Sequence, residues 1–349
     1  MLLVPSRRGG VPCLTPQMLR DILADDERLL SLSIFDAVEH VKALQATKLP
    51  FAALCGLSEF KVLLSVRSPF IGSHTSTASS EQGIAGDHDT GRLVITVEKL
   101  KEIESAIQPD GVVGLSDAGC VDEPILKKRR TAIDRSCRWF EQLMTSKDAS
   151  KVVVPATVIR NSKKFSAPAS NAGIYIDFAN QNETLGSRIA AIRETLEIQS
   201  GSFVVSHAES VPAVIGSVLS GVTRIESALP WQLAAKGKAL CLPLSETALQ
   251  DVLVSSAHNR PPVLLDLNDP AFRWDKAALS SGEISCRCYT CQRHTRCYIH
   301  HLLSVQEMNS EILLVIHNLT QLVDLLRLLR GTTEPHKHKQ LAYLALFQV

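Results

Sequence analysis

Cys286-Arg287-Cys288-Tyr289-Thr290-Cys291 places three thiols within six residues. Thiolates that close can curl round one ion. Zinc takes four nitrogen or sulfur ligands in a tetrahedron, at about 2.3 Å from sulfur and about 2.0–2.1 Å from nitrogen. A fourth ligand is needed, and the candidates are His294, Cys297, His300, His301 and His317. His294 follows at once and would strain the knuckle. His300 and His301 are adjacent, so at most one would face the ion. His317 lies 26 residues past Cys291, on the next expected helix, where it could close the tetrahedron across a helical hairpin. The competing readings are three reduced structural cysteines, or a redox pair at Cys288 and Cys291. Clustered thiols with no ligand are an oxidation liability, which favours the metal. With three Cys and one His the site is closed, so the ion would be structural.

Upstream of this segment, apolar strands alternate with amphipathic helices. Leu29–Phe35, Lys61–Val66, Arg92–Val97, Gly111–Ser116, Lys151–Val158, Gly173–Phe178, Phe203–Ser206 and Val222–Ser227 read as strands. Between them Asp36–Thr47 and Ala208–Leu219 read as helices, and Thr96 caps another that carries Val97, Leu100, Ile103 and Ile107 on one face. Ile133, Cys137, Phe140 and Met144 form a helical stripe, as do Leu185, Ile189, Ile192 and Leu196. About eight such strands alternating with helices imply a parallel sheet with helices outside, and fit a (β/α)8 barrel of α/β class. Gly72–Gly91 has 11 Gly, Ser or Thr among 20 residues, so it is expected to be a disordered loop. The expected division is a barrel over 1–281 and a zinc-binding subdomain with closing helices over 282–349.

Composition narrows the function. The 37 basic and 36 acidic residues leave a net charge of +1, so any RNA contact must be a local patch or shared with a partner. Aromatics are only 5%, which argues against a base-stacking surface. Nine cysteines, mostly scattered, fit reduced thiols better than a disulfide framework. Cys13, Cys55, Cys120, Cys137 and Cys241 read as buried apolar residues. Met1–Arg8 has no long apolar core, so no signal peptide is expected. No stretch of about 18 uncharged apolar residues occurs, so no membrane span is expected. Lys127-Lys128-Arg129-Arg130 could touch phosphate or serve nuclear import, but reads first as a solvated helix start. Arg287, Arg293 and Arg296 surround the thiols and are further phosphate candidates. Leu319, Leu322, Leu326 and Leu329 form a stripe that is either core or a partner face.

The run Cys286–Cys291, then His294-Thr-Arg-Cys-Tyr-Ile-His-His-Leu-Leu303, then Ile316-His317-Asn318-Leu319, resembles the zinc segment of the tRNA-guanine transglycosylases. Leu265–Asp275 and Gly221–Pro230 resemble the family's strand before the knuckle and its nucleophile segment. The resemblance implies a (β/α)8 TIM-type barrel with an inserted zinc subdomain, one structural Zn2+, and His317 as fourth ligand. Thr131–Ser136 and Gly91–Val97 are similar to the accessory, non-catalytic branch. That branch pairs with a catalytic subunit that exchanges guanine for queuine at the wobble position of tRNAs with GUN anticodons. The implied partners are that catalytic subunit and tRNA, with a homodimer when alone. The implied location is cytoplasmic, with peripheral contact to the mitochondrial outer membrane.

The family reaction needs a carboxylate nucleophile at ribose C1′ and a second carboxylate to move protons. The matching position here is Glu226, one methylene longer than the family's Asp, and a misplacement of about 1 Å can cost about 100-fold in rate. The family's Asp-Ser-Gly-Gly-Phe motif is matched by Val66-Arg67-Ser68-Pro69-Phe70. Valine cannot transfer a proton. Asp177 reads as a strand-end turn residue or a leftover recognition group. The expectation is a chain with no catalytic residues of its own, the degenerate positions being Glu226 and Val66; the alternative is a self-sufficient transglycosylase using Glu226. The similarity begins near Pro12, so the family's N-terminal β segment is expected to be missing or replaced.

Overall fold

The structure is a computed structural model that describes residues 1–70, 79–88, 91–117, 126–145, 151–161, 173–177, 184–198, 203–245, 262–280 and 286–330. In chain order the first elements are β1 (Leu2–Ser6), α1 (Pro16–Ile22), β2 (Leu29–Ser33), α2 (Ile34–Ala37), α3 (Val41–Thr47), α4 (Phe51–Leu54) and β3 (Lys61–Ser65). There follow β4 (Gly83–His88), β5 (Gly91–Thr96), α5 (Val97–Ile107), β6 (Gly111–Val113), α6 (Leu126–Met144), β7 (Val152–Pro155), α7 (Ala156–Asn161), β8 (Ile174–Ile176) and α8 (Leu185–Ile198). The chain continues with β9 (Val204–His207), α9 (Val211–Leu219), β10 (Arg224–Glu226), α10 (Leu229–Ala235), β11 (Lys238–Leu240), β12 (Leu264–Asp266), α11 (Tyr289–Arg293), α12 (Arg296–Ser304) and α13 (Met308–Leu329).

Eight strands close into a parallel barrel in the order β1-β2-β3-β6-β7-β8-β9-β10, with β10 returning to β1. The staves are short and almost wholly buried, because helices cover them outside and side chains fill them inside. The TIM-type expectation therefore holds, with one change of membership. β1 is a full stave, paired with β10 through Leu2↔Ile225 and with β2 through Val4↔Leu30. This stave, Leu2–Ser6, is a run of five buried residues and is not among the eight strands expected from the sequence.

Arg92–Val97 is not a stave. β5 pairs antiparallel with β4, so Gly83–His88 of the expected loop forms a strand. Its glycines serve packing. A Cβ on Gly83 would meet the Ile95 carbonyl oxygen at 2.2 Å, and one on Gly86 would meet the Phe35 ring at 2.6 Å. Low complexity here encodes close approach, not freedom. The earlier residues 71–78 lie outside the described ones.

Several expected strands stop early. Lys151–Val158 ends as strand at Pro155 and turns into α7, and Leu29–Phe35 ends at Ser33, whose hydroxyl accepts from Phe35 N at 3.3 Å and starts α2. Thr96 caps α5 as expected, accepting from Lys99 N at 3.2 Å. The α6 stripe is rotated by about one residue: Ala132, Ser136, Trp139, Phe140 and Leu143 are buried, while Ile133, Cys137 and Met144 are half-buried. Trp139 is the reason, since its indole must also reach the Glu81 carbonyl, at 3.1 Å. On α8 the buried positions are Arg188, Ile192 and Thr195.

Among the described residues one helix, α13, is long and apolar enough to cross a membrane. Its apolar faces are spent inside the protein, against α10, α1, β11 and the knuckle helices. Leu319, Leu322, Leu326 and Leu329 are all buried, so that stripe is core. At its end Arg327 and Arg330 bond the buried Glu27 carboxylate, at 2.5 and 2.8 Å, which ties α13 to the segment before β2.

Candidate metal centre

β10 is the last barrel stave, and the chain leaves it through α10 into the β11–β12 hairpin, whose strands pair antiparallel. Past β12, Asp269 caps the turn Pro270–Trp274, and the chain reaches the knuckle. Cys288 is the cap of α11: its sulfur accepts from Cys291 N at 3.4 Å, which folds the six-residue run back on itself.

The structure brings Cys286, Cys288, Cys291 and His317 together, with all four ligand atoms within 4.8 Å of one another. Nδ1 of His317 stands 3.5 Å from Cys288 Sγ and 3.3 Å from Cys291 Sγ. Tetrahedral bonds of about 2.3 and 2.0–2.1 Å require a sulfur–nitrogen edge of about 3.6 Å, so the donor set is already near the size zinc needs. The imidazole orientation is fixed from behind, because Nε2 meets the Leu240 carbonyl at 2.6 Å. That contact places the proton on Nε2 and leaves Nδ1 as the donor to a metal.

Electrostatics also favour a cation. Hydrogen bonds from Cys288 and Cys291 hold the Cys286 thiol far below its usual range. The hydrogen bond to Cys286, the one to Cys291 and burial push the Cys288 thiol far up. Three sulfurs that close cannot all ionise unless a positive ion sits among them.

The other candidate ligands have separate roles. His294 stacks on Tyr298 with centroids 5.1 Å apart. Cys297 Sγ faces the Thr295 hydroxyl at 3.1 Å, His300 Nδ1 meets the Leu267 carbonyl at 2.8 Å, and His301 is exposed. Asn318, next to the ligand, holds the open edge of β11. Its Oδ1 accepts from Leu240 N at 2.8 Å and its Nδ2 donates to the Lys238 carbonyl at 2.9 Å. Gln321 extends the pattern by accepting from Leu242 N at 2.9 Å. One face of α13 thus supplies both the metal-facing imidazole and the side chains that finish the hairpin.

Of the nearby arginines, Arg296 is structural, bonded to Asp275 at 3.0 Å and to the Leu279 carbonyl at 3.0 Å. Arg287 and Arg293 are exposed and line a groove of about 1000 Å³ beside the knuckle, together with Met18, Tyr289 and Tyr298. Cys241 is buried. Cys13, Cys55 and Cys137 are half-buried, and burial pushes the thiols of Cys55 and Cys137 up to about 11. Cys120 lies outside the described residues.

At the barrel mouth, Glu226 ends β10 and is only 1% exposed. Both carboxylate oxygens are engaged: Oε1 by the Ser31 hydroxyl from β2, Oε2 by the Tyr175 hydroxyl from β8 at 2.6 Å. Burial first, and the Glu226 charge second, raise the Tyr175 phenol well above its usual range, which keeps it a donor. Val66 is buried beside Ser65, whose hydroxyl lies 3.3 Å from that of Ser31. Asp177 is bonded by the Ser116 hydroxyl and by Thr157 N, the latter at 2.9 Å, and burial pushes its carboxyl up. Sequence reasoning did not pick out Ser31, Tyr175, Asp117 or Arg135; the last two pair at 2.6 Å between the segment after β6 and helix α6. A signal existed for the serines, since Ser31 interrupts the apolar stave β2 and Ser65 ends the apolar stave β3.

A family model described as queuine tRNA-ribosyltransferase matches residues 3–342. Queuine tRNA-ribosyltransferase accessory subunit 2 of Homo sapiens is 25% identical, over 98% of this chain and 91% of its own length. The protein of the same name from Pongo abelii is similar to the same extent. That of Danio rerio is 26% identical, over 94% of this chain and 87% of its own length. With the closed eight-stave barrel and the Cys3His cluster shared by the knuckle and α13, these matches lead to one conclusion: the chain belongs to the queuine tRNA-ribosyltransferase family.

Proposed function

We propose that this chain is the non-catalytic, accessory half of a queuine tRNA-ribosyltransferase. Its catalytic partner exchanges guanine for queuine at the wobble position of tRNAs with GUN anticodons, while this chain supports the pairing and helps to position the tRNA. The observation that carries the reading is the state of Glu226. A nucleophile for ribose C1′ needs an oxygen that the substrate can reach. Here both oxygens are held by Ser31 and Tyr175 inside a packed barrel. At the position of the family's proton-moving carboxylate stands Val66.

Cys286, Cys288, Cys291 and His317 would hold one Zn2+, which supplies a fixed tetrahedral brace and no open coordination site. The brace pins the knuckle to α13 and, through Leu240 and Asn318, to the β11–β12 hairpin. The groove beside it, with exposed Tyr289 and Tyr298, is the face we assign to the partner subunit, or to a second copy when the chain is alone. A cytoplasmic place, with peripheral contact to the outer mitochondrial membrane, belongs to the same reading and is supported by the resemblance.

The test is guanine exchange on tRNA by this chain, by the catalytic subunit, and by their mixture. Activity is expected in the mixture only, with a 1:1 complex on gel filtration. Robust exchange by this chain alone, abolished in Glu226→Ala, would show that it is a transglycosylase in its own right.

A further inference from the structure

Helix α6 rises well beyond the barrel it packs against. Asp117 N, four residues past β6, donates to the Ser136 hydroxyl at 2.8 Å, and a Cβ on Gly114, the residue after the strand, would meet the Phe140 ring at 2.6 Å. Higher helix numbers thus face lower strand numbers, so α6 runs down from the mouth that holds Glu226 and Asp177. Lys151, after the helix, reaches the Pro109 carbonyl at the opposite end of β6, at 3.3 Å. Residues 126–130 lie six to ten positions before Ser136. At about 1.5 Å per residue they stand roughly 9–15 Å along the helix beyond Ser136, which is level with Asp117 in the segment that follows β6.

That overhang is Leu126-Lys127-Lys128-Arg129-Arg130, and every residue of it is exposed. Lower on the same helix the arginines are neutralised: Arg135 pairs with Asp117 at 2.6 Å and Arg138 pairs with Glu81. Among the described residues no ion pair ties Lys127, Arg129 or Arg130 to a carboxylate. The first acid on the helix is Asp134. A helix that buries Trp139 and Phe140 below holds these cations at a fixed height and direction. In a chain of net charge +1, Lys127, Arg129 and Arg130 on one helical turn form a distinct local field.

We propose that the overhanging first turn of α6 is a contact for the phosphate backbone of tRNA held across the barrel mouth. This rests on the reading of the chain as part of a tRNA-modifying assembly. It adds a contact that works whether or not the mouth below it is catalytic. Such contacts position RNA without reading its sequence, and each neutralised phosphate steepens the dependence of affinity on salt.

The experiment uses the full zinc-loaded chain, alone and with the catalytic subunit. tRNA affinity is measured from about 0.05 to 0.2 M salt for the parent, for the triple variant Lys127→Ala/Arg129→Ala/Arg130→Ala, and for a control losing Lys42 and Arg193. The triple variant is expected to bind roughly 10–100-fold more weakly at about 0.1 M salt, with the slope of log K against log salt shallower by about 2–3. The control should match the parent, as should the melting temperature of the triple variant. An unchanged slope overturns the proposal, as does a parent that binds no tRNA. So does retention on phosphatidylserine vesicles that the triple variant loses while its tRNA binding stays intact; that outcome assigns the patch to an anionic membrane. The accessory role is scored separately: exchange that still needs both subunits upholds it even if the slope does not move.

Discussion

Tyr175→Phe tests the account of the silent mouth most directly. The substitution removes only the hydroxyl that donates to Glu226 Oε2 at 2.6 Å, and leaves a ring of the same shape. A hydrogen bond to a charged group contributes about 1.5–3 kcal/mol, and removing one partner leaves the other buried and bare. At about 2.1 cal/mol/K per residue, a chain of 349 residues has an unfolding entropy near 0.7 kcal/mol/K. The expected fall in melting temperature is therefore about 2–4 °C. Glu226→Gln should cost much less, because an amide can accept from one neighbour and donate to the other. Scanning calorimetry and urea unfolding would read both. If Tyr175→Phe is neutral, Glu226 is not held as described. If Glu226→Gln instead leaves stability intact and abolishes exchange by the chain alone, the carboxylate is a working nucleophile and the reasoning fails.

Asn318→Ala should cost about 2–4 kcal/mol, since it bares the Leu240 amide and the Lys238 carbonyl at once. Faster amide exchange at Leu240 is the direct readout, and unchanged protection there would refute it. Cys288→Ser should abolish stoichiometric zinc and loosen α11 and α12, as metal analysis and limited proteolysis would register; in small domains such sites contribute on the order of 10 kcal/mol. Glu27 gives the pH dependence. Burial would raise its carboxyl, but the Arg327 hydrogen bond and the two guanidinium charges hold it below the usual range. A depressed folded-state pKa stabilises above the unfolded value, and the gain is lost as pH falls through the folded one. The midpoint of urea unfolding should therefore drop below about pH 4.5, near the unfolded pKa of Glu. Glu27→Gln should be less stable at pH 7 and flatter in acid.

What could be read beforehand followed from how local each cause is. The knuckle was legible because three sulfurs sit within one turn of chain, and thiol chemistry restricts what such a cluster does. The alternation of strands and helices was legible because burial on both faces leaves a run of apolar residues in each stave. β1 escaped because Leu2–Ser6 is a stave only by virtue of partners at Leu29–Ser33 and Arg224–Glu226. The β4–β5 pair escaped for the opposite reason: composition reads glycine as freedom, whereas Gly83 and Gly86 are required by a carbonyl and a ring within 3 Å.

The fate of Glu226 shows where such reading ends. Its identity and strand-end position are visible in Gly221–Pro230, and they fit a nucleophile and a plug equally well. The proposed choice between them rests on Ser31 and Tyr175, 195 and 51 residues away, which only barrel closure brings to the carboxylate. His317 obeys the same logic with a different outcome. Spacing left five candidates for the fourth ligand. The fold brings only His317 of these to the three cysteines among the described residues, with β11 beside it: the Leu240 carbonyl turns the imidazole and the strand's open edge engages Asn318. A ligand that must also finish a sheet edge has its neighbour specified with it. The pair His317-Asn318 is thus one structural unit, so replacing Asn318 should lower zinc affinity although Asn318 touches no metal.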